Sequence, residues 1–538
     1  MLPVPTARAR AAFFGCIGMW LTGLLTQSWA PTALGAGLAL LLVAVVAATV
    51  PLGRRVRAQR LEFAWWLAQR EGLMSGAVVP QVPFQVRCYV RHRGTTPLEL
   101  TRIEPVVAES ATVHDLKPTR VPVPPRARTE FVFSMSARAA GRVVLHGLAV
   151  SLRGPLGMFE VPLYFPNMLA IKVLPRTSLV RTGKPTVLTG LPMDRPGRHR
   201  MRRRGGGTDL HELRDFQPGD PFKSIAWKAS ARTGQLLVRE VDQEVQQTLV
   251  LILDVAGSLR GGTPGQRKLD TALELSASLA HAWLDRGDRV GLMTVDGRLL
   301  ANVTPAEGPA HLLRLYDALL AATEVVDADL TAVDDAAVLN IVARYVRHQD
   351  GVEFPEPRVR GWDITALARH VRTLSSTRVG ELPNAQSPAG AELRRFCRER
   401  GLSLPHRATS LHGDKSRGLS AALRTAGGRT RAPLSVVMIS DLDGVVDYEP
   451  LVAAARLLTR RGHALSVLMP EALSEAGSET DFTSTLEAIY RRVERRHLRE
   501  ARSYLSRFGV TVTKVSAGSG GAFAGVSQRR PLGGKVAS

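Results

Sequence analysis

The 538 residues predict an α/β fold, a doubly wound sheet carrying a helical insertion, preceded by an all-β immunoglobulin-like domain and an N-terminal two-helix membrane hairpin. Three observations carry this prediction. Two charge-free apolar segments open the chain, short alternating strands fill residues 78–180, and from residue 246 apolar strands alternate with helical patterns.

Ala11 to Gln27 and Thr32 to Leu52, roughly 17 to 21 residues each, are long enough to cross a hydrocarbon core. Ser28-Trp29-Ala30 faintly resembles a signal-peptide cleavage site, but the second apolar run follows almost at once, which favours a hairpin over residues 1–60. Arg8 and Arg10 precede the first span, and Arg54, Arg55, Arg57 and Arg60 follow the second. That distribution places both termini in the cytoplasm. The three cysteines, Cys16, Cys88 and Cys397, are far apart and match neither a zinc-ligand spacing nor a disulfide framework, in keeping with a reducing compartment.

Leu61 to Gly72, within a juxtamembrane segment 61–77, reads as an amphipathic helix with Trp65 and Trp66 at the membrane interface. Val82 to Arg91, Thr129 to Met135 and Val143 to Val150 alternate apolar and polar residues, as strands of a sandwich spanning residues 78–180 do. That domain holds no clustered carboxylates or nucleophile pair. Residues 181–245 follow as a linker, basic and glycine-rich from Pro192 to Gly207, suited to anionic headgroups or simply to solvent.

Strands are expected at Thr248 to Leu253, Arg289 to Val295, Leu299 to Val303, Leu434 to Ile439, Ala464 to Met469 and Val510 to Val515, within a domain spanning 246–516. Helices are expected at Gln266 to Asp285, Pro309 to Ala322, Tyr448 to Arg461 and the basic Thr483 to Phe508. Residues 323–430 break this rhythm. They are too long for a loop and contain helical stretches at Ala336 to Arg347, Ile364 to Leu374 and Gly390 to Arg400, so they read as an insertion on the rim of the sheet. Residues 517–538, rich in Gly, Ser, Arg and Lys, read as a disordered tail.

The chain's net charge of +23, with 71 Lys and Arg against 48 Asp and Glu, favours an anionic partner: a lipid surface, a nucleic acid or an acidic protein. Arg far outnumbers Lys and Ala is abundant, a bias that GC-rich coding also produces, so a nucleic-acid-binding protein is the weaker alternative. No GxxxxGK[ST] and no GxGxxG follows a strand, which leaves nucleotide binding without support. Cys397, His406, His412 and Asp414 are a conceivable nucleophile, base and orienter but carry no catalytic signature.

Leu213-Arg-Asp-Phe-Gln-Pro-Gly-Asp220, then Ile225, Trp227-Lys228, Ala231-Arg232 and Val238-Arg239-Glu240, resemble the domain-of-unknown-function 58 family, with weaker echoes at Gly154 to Phe159 and Ile439 to Leu442. The resemblance implies a bacterial inner-membrane protein whose β-domain precedes a von Willebrand A-like sheet. It further implies a non-enzymatic scaffold or adaptor, without catalytic residues, working with a MoxR-type AAA+ ATPase in protein-complex assembly or maturation.

Phe216, Gln217, Pro218, Gly219, Asp220, Trp227, Lys228 and Arg232 are the expected family motif and protein-binding residues. Pro218-Gly219 favours a tight turn that Asp220 can cap. A purely structural role would bury Trp227 and pair Asp220 with Lys228 or Arg232; a docking surface would expose them.

The A-type resemblance also implies a divalent-cation loop, Asp-x-Ser-x-Ser, beginning at Asp254, where Ala256 stands in place of the first Ser. Asp254, Ser258 and Asp441 remain as oxygen ligands for a degenerate Mg2+ site, with Ser416 and Thr365 the nearest hydroxyls for a middle loop. If an ion binds there, the alternative is a metal-dependent hydrolase or nucleotide-binding enzyme on the same sheet.

Overall fold

The computed structural model describes residues 3–58, 61–68, 78–95, 97–108, 110–114, 121–177, 199–204, 210–218, 220–324, 330–350, 364–374, 387–407, 415–428, 432–472 and 481–515. They form two compact units. One comprises residues up to Leu174 together with Val333–Leu404; the other comprises Pro175–Val325 and the chain from Pro405 onward.

In the first unit a short strand β1 (Val4–Pro5) leads into α1 (Ala7–Thr26), whose first turn is capped by the Thr6 hydroxyl. The chain reverses at Gln27, which takes the left-handed conformation with φ 47°, and returns as α2 (Trp29–Ala58). Both helices are long and apolar enough to cross a membrane. They approach closely at Gly35, where a Cβ would lie 2.3 Å from the Trp20 ring, and the Cys16 thiol donates to the Gly35 carbonyl at 3.0 Å.

The β-domain comprises β2 (Glu62–Leu67), β3 (Phe84–Arg91), β4 (Leu98–Val107), β5 (Ala111–Val113), β6 (Val121–Val123), β7 (Arg128–Ala137), β8 (Gly141–Arg153) and β9 (Phe159–Val173). Two antiparallel sheets, ordered β1-β9-β8-β4-β6 and β2-β3-β7-β5, share one core that includes Cys88, Leu100, Phe133 and Leu145. The expected juxtamembrane helix is instead the strand β2, paired along its length with β3. Its sequence explains the change: in Glu-Phe-Ala-Trp-Trp-Leu the aromatics favour a pleated surface. Trp65 faces the core at 7% exposure rather than a membrane interface, and Trp66 packs beside Tyr89.

The linker also gains structure. Three strands, β10 (His199–Arg204), β11 (Leu210–Asp215) and β12 (Leu237–Val245), form an antiparallel sheet in the order β10-β12-β11, with helix α3 (Trp227–Thr233) between the last two in sequence. Gly205, Gly206 and Gly207 lie outside the described residues, as does the predicted tail.

The main sheet begins with β13 (Thr248–Asp254), followed by α4 (Gly257–Arg260), α5 (Lys268–Leu284), β14 (Arg289–Val295), β15 (Leu299–Ala306) and α6 (Pro309–Thr323). The insertion helices α7 (Asp335–Asp350), α8 (Ile364–Leu374) and α9 (Pro388–Arg400) come next. They belong to the unit that holds the β-domain: His146 Nδ1 lies 2.9 Å from the Tyr345 hydroxyl, and the Tyr164 hydroxyl donates to Gln349. Their apolar faces, among them Val342, Leu367, Leu393 and Phe396, form a separate small core.

The chain then continues through α10 (Lys415–Gly428), β16 (Ser435–Ile439), α11 (Glu449–Arg460), β17 (Ala464–Pro470), α12 (Asp481–Leu505) and β18 (Thr511–Val515). Thus residues 415–428, expected within the insertion, are a helix of the sheet domain: Leu419, Ala422, Leu423 and Ala426 share one core with β13 and β14, against which α10 packs. The sheet order is β15-β14-β13-β16-β17-β18, with β15 antiparallel to β14 and the other pairs parallel. This is a von Willebrand A-like arrangement. Its central neighbours β13 and β16 flank the point where the winding reverses, and the ligand-bearing crevice of such sheets lies at their carboxyl ends. On α12, Arg492, Arg495, Arg496, Arg499 and Arg502 are exposed while Ala501 and Leu505 are buried, which makes the basic stripe a solvated face.

Candidate functional site

Asp254 stands at the carboxyl end of β13, and Asp441 follows β16 by two residues, so parallel pairing of the strands sets the two carboxylates on one edge. Both are buried, as is the loop residue Ala256. The Ala256 N–H donates to Asp254 Oδ1 at 2.9 Å, and the Ser440 hydroxyl donates to Asp254 Oδ2 at 2.5 Å. Ser258, at the start of α4, donates to Asp441 Oδ1 at 3.1 Å, and the Asp443 N–H reaches the same oxygen at 3.1 Å. The structure therefore brings together the three predicted ligands Asp254, Ser258 and Asp441.

They converge on an ammonium group. Lys415, the first residue of α10, places Nζ 2.5 Å from Asp254 Oδ2, 2.6 Å from Asp441 Oδ1, 2.9 Å from Ser258 Oγ and 3.1 Å from the Asp443 carbonyl. A second buried lysine, Lys268, approaches Asp441 Oδ2 at 3.3 Å. Burial pushes the Asp441 carboxyl upward, but Lys415 and Lys268 outweigh it and hold the group below its ordinary range. Burial pulls Lys415 downward, and Asp254 and Asp441 more than restore it, so its pKa is raised. Asp254, fully desolvated and beside a second carboxylate, is raised despite the help of Lys415 and Ser440.

As they stand, these residues do not fit a divalent ion. The oxygens that would coordinate it are engaged by Nζ, and two buried ammoniums already stand beside the carboxylates. Among the described residues, no group of three or more His, Cys, Asp or Glu side chains is arranged to hold a metal. Of the two hydroxyls weighed for a middle loop, Thr365 lies on α8 in the other unit, and Ser416 is buried next to Lys415. Residues 415–428 fall within the predicted insertion, which hides the lysine from the sequence alone. The periodic Leu419, Ala422, Leu423 and Ala426 just before an apolar strand were the signal for it.

The second predicted site is built between β11 and β12. Arg214 grips Asp220 through both oxygens, at 2.6 and 2.7 Å, while Asp220 Oδ2 also accepts from the Gln217 N–H at 2.9 Å. Asp220 thus pairs with Arg214, not with Lys228 or Arg232, because β11 delivers the guanidinium directly under the turn. Gly219 lies outside the described residues. Ile225 and Ala226 are buried against β12, and the Ser230 hydroxyl accepts from the Leu237 N–H at 2.9 Å, fixing the inner face of α3.

That anchoring turns the opposite face outward. Trp227 is 61% exposed and Phe222 75%, correcting the expectation of a buried tryptophan. Lys223, Lys228 and Arg232 are exposed in the same turn and helix, and Phe216 lies 6.4 Å from the Phe222 ring.

Of the conceivable catalytic group, Cys397 and His406 are among the described residues. Cys397 is buried in the core of α7, α8 and α9, where burial pushes its thiol up to about 12. His406 lies in the other unit, 3.5 Å from Asp296, and His412 and Asp414 are outside the described residues.

Residues 212–345 match the family model described as "Protein of unknown function DUF58". An uncharacterized protein of Mycobacterium tuberculosis (strain H37Rv) is 29% identical over 135 residues, 24% of this chain and 43% of its own length. Uncharacterized protein YeaD of Bacillus subtilis (strain 168) is 25% identical over 175 residues, 31% of this chain and 37% of its own length. The chain therefore spans about two fifths of the curated relatives it matches. Similar solved structures include the SpRpn10 VWA domain, at a TM-score of 0.23 and 10% identity, covering 55% of this chain and all 100% of that one. The conserved hypothetical protein BatB from Bacteroides thetaiotaomicron has a TM-score of 0.22 and 10% identity, covering 50% of this chain and 90% of that one.

Proposed function

We propose, from the premise that residues 212–345 match the DUF58 family model and include β13 to β15 of the von Willebrand A-like sheet, that this chain is a membrane-anchored, non-enzymatic scaffold that docks an acidic protein partner. The partner class implied by the family resemblance is a MoxR-type AAA+ ATPase, acting in assembly or maturation of protein complexes. The N-terminal hairpin holds the scaffold at the inner membrane with both termini cytoplasmic, as the arginine flanks favour.

The observation that carries this reading is the exposure of Phe222 and Trp227 on a turn locked from beneath by Arg214 and Asp220. Exposed aromatics on a rigid support are the residues that dominate interface energetics once a partner desolvates them. Lys223, Lys228 and Arg232 around them favour encounter with an acidic surface. The carboxylates at the sheet's edge are engaged by Lys415, which favours an interaction role over ion-dependent hydrolysis.

A photo-crosslinking residue placed at position 227 in the full chain, in native membranes, tests the reading. An ATPase of this class crosslinked from 227 but not from the exposed position 313 on α6 supports it; no protein crosslink from 227 counts against it.

A further inference from the structure

We propose that the Lys415 ammonium is a built-in cation, occupying the position enclosed by Asp254, Ser258 and Asp441, so that this end of the sheet works without a divalent ion and becomes a divalent-ion site when the lysine is removed. The inference is independent of the docking reading. Four oxygens from three separate segments meet at one nitrogen, at 2.5, 2.6, 2.9 and 3.1 Å. Those are charge-assisted N–H···O distances, whereas Mg2+ requires oxygens at about 2.0–2.1 Å. An ammonium has three donors for these acceptors and needs no water to complete its shell.

The lysine is also held in place. Its helix is anchored in the sheet's core by Leu419, Ala422 and Leu423. One turn on from the lysine, Gly418 packs against the backbone of Asp296 so closely that a Cβ there would lie 2.1 Å from the Asp296 carbonyl oxygen. Retraction of Nζ would therefore strand Asp254 and Asp441, both buried, without their main counter-charge. Lys268 adds a second positive group 3.3 Å from Asp441, so an ion arriving beside Lys415 would meet two ammoniums in a desolvated site.

The cluster links β13, α4, the loop after β16 and the start of α10, the segments a cation at this position would tie together. Lysine does so through one covalently attached charge.

The test is Mn2+ binding by the detergent-solubilised full chain, followed by electron paramagnetic resonance and thermal unfolding. The wild type is expected to bind no stoichiometric Mn2+ and to keep its melting temperature when Mn2+ is added. Lys415→Ala is expected to bind about one ion per chain and to melt higher with it, and a further Asp441→Asn change should abolish both effects. A Lys415→Ala protein that folds only when Mn2+ is supplied also supports the proposal, since the ion then replaces the ammonium. Stoichiometric Mn2+ binding by the wild type that Asp254→Asn removes would overturn it, as would folded Lys415→Ala that binds none. If Lys415→Ala folds under neither condition, the wild-type titration with its Asp254→Asn control decides.

Discussion

Lys415 Nζ lies 2.6 Å from Asp441 Oδ1, joining the first residue of α10 to the loop after β16 at the carboxyl edge of the sheet. A residue read as part of a remote insertion thereby becomes the centre of the predicted ion site. Breaking a buried pair costs more than the pair contributes, because the remaining charge stays desolvated. Lys415→Met should therefore destabilise the full chain by about 3–5 kcal/mol, read as a lower unfolding midpoint. A melting temperature equal to the wild type's would show that the carboxylates do not depend on this lysine.

Trp65 and Trp66 are adjacent in sequence but face opposite ways on β2. Trp65→Ala should cost about 3–5 kcal/mol, since it empties a core position, and Trp66→Ala clearly less. Comparable losses would contradict the place of Trp65 in the core of the β-domain.

Cys88 and Cys397 are buried, and burial pushes both thiols up to about 12. Neither should react with iodoacetamide at neutral pH until the protein is denatured, by peptide mapping. Rapid labelling of Cys397 in the native protein would contradict its place in the insertion's core and reopen a reactive-thiol role.

His146 has its pKa lowered by burial and by Arg400, with its Nδ1 facing the Tyr345 hydroxyl. A folded-state pKa below the unfolded value means that the unfolded chain binds more protons between the two. Stability from this group is therefore intact above pH 6.5 and declines as pH falls below it, levelling off beneath the folded-state value. His146→Gln should flatten that part of a melting-temperature profile. An unchanged profile would show that the histidine is not held neutral against the insertion.

The strands and helices of the sheet were legible because each carries its own signal. Thr248–Asp254 is a continuous apolar run ending in a carboxylate, and Glu449–Arg460 repeats Leu451, Ala454, Ala455 and Leu458 on one face. The same logic placed Asp254 at a strand end facing the crevice, while Ser258 and Asp441 were added by the A-type resemblance. What could not be seen was pairing across the chain. Lys415 is 161 residues from Asp254 in sequence and meets it only through the packing of α10 on β13. Arg214 reaches Asp220 because β11 enters the turn from below, a geometry that no spacing rule contains. Trp227 has the composition of a buried anchor; its neighbours Ile225, Ala226 and Ser230 take the inner positions and leave the indole outside.

The docking claim rests on that exposed pair, Phe222 and Trp227. Affinity purification of the full chain from native membranes, wild type beside a Phe222→Ala/Trp227→Ala double variant, tests it most directly. A MoxR-type ATPase should co-purify with the wild type and be reduced at least tenfold, about 1.4 kcal/mol or more, in a variant whose melting temperature is unchanged. Equal recovery of the same ATPase from both proteins, or none from the wild type, would contradict it.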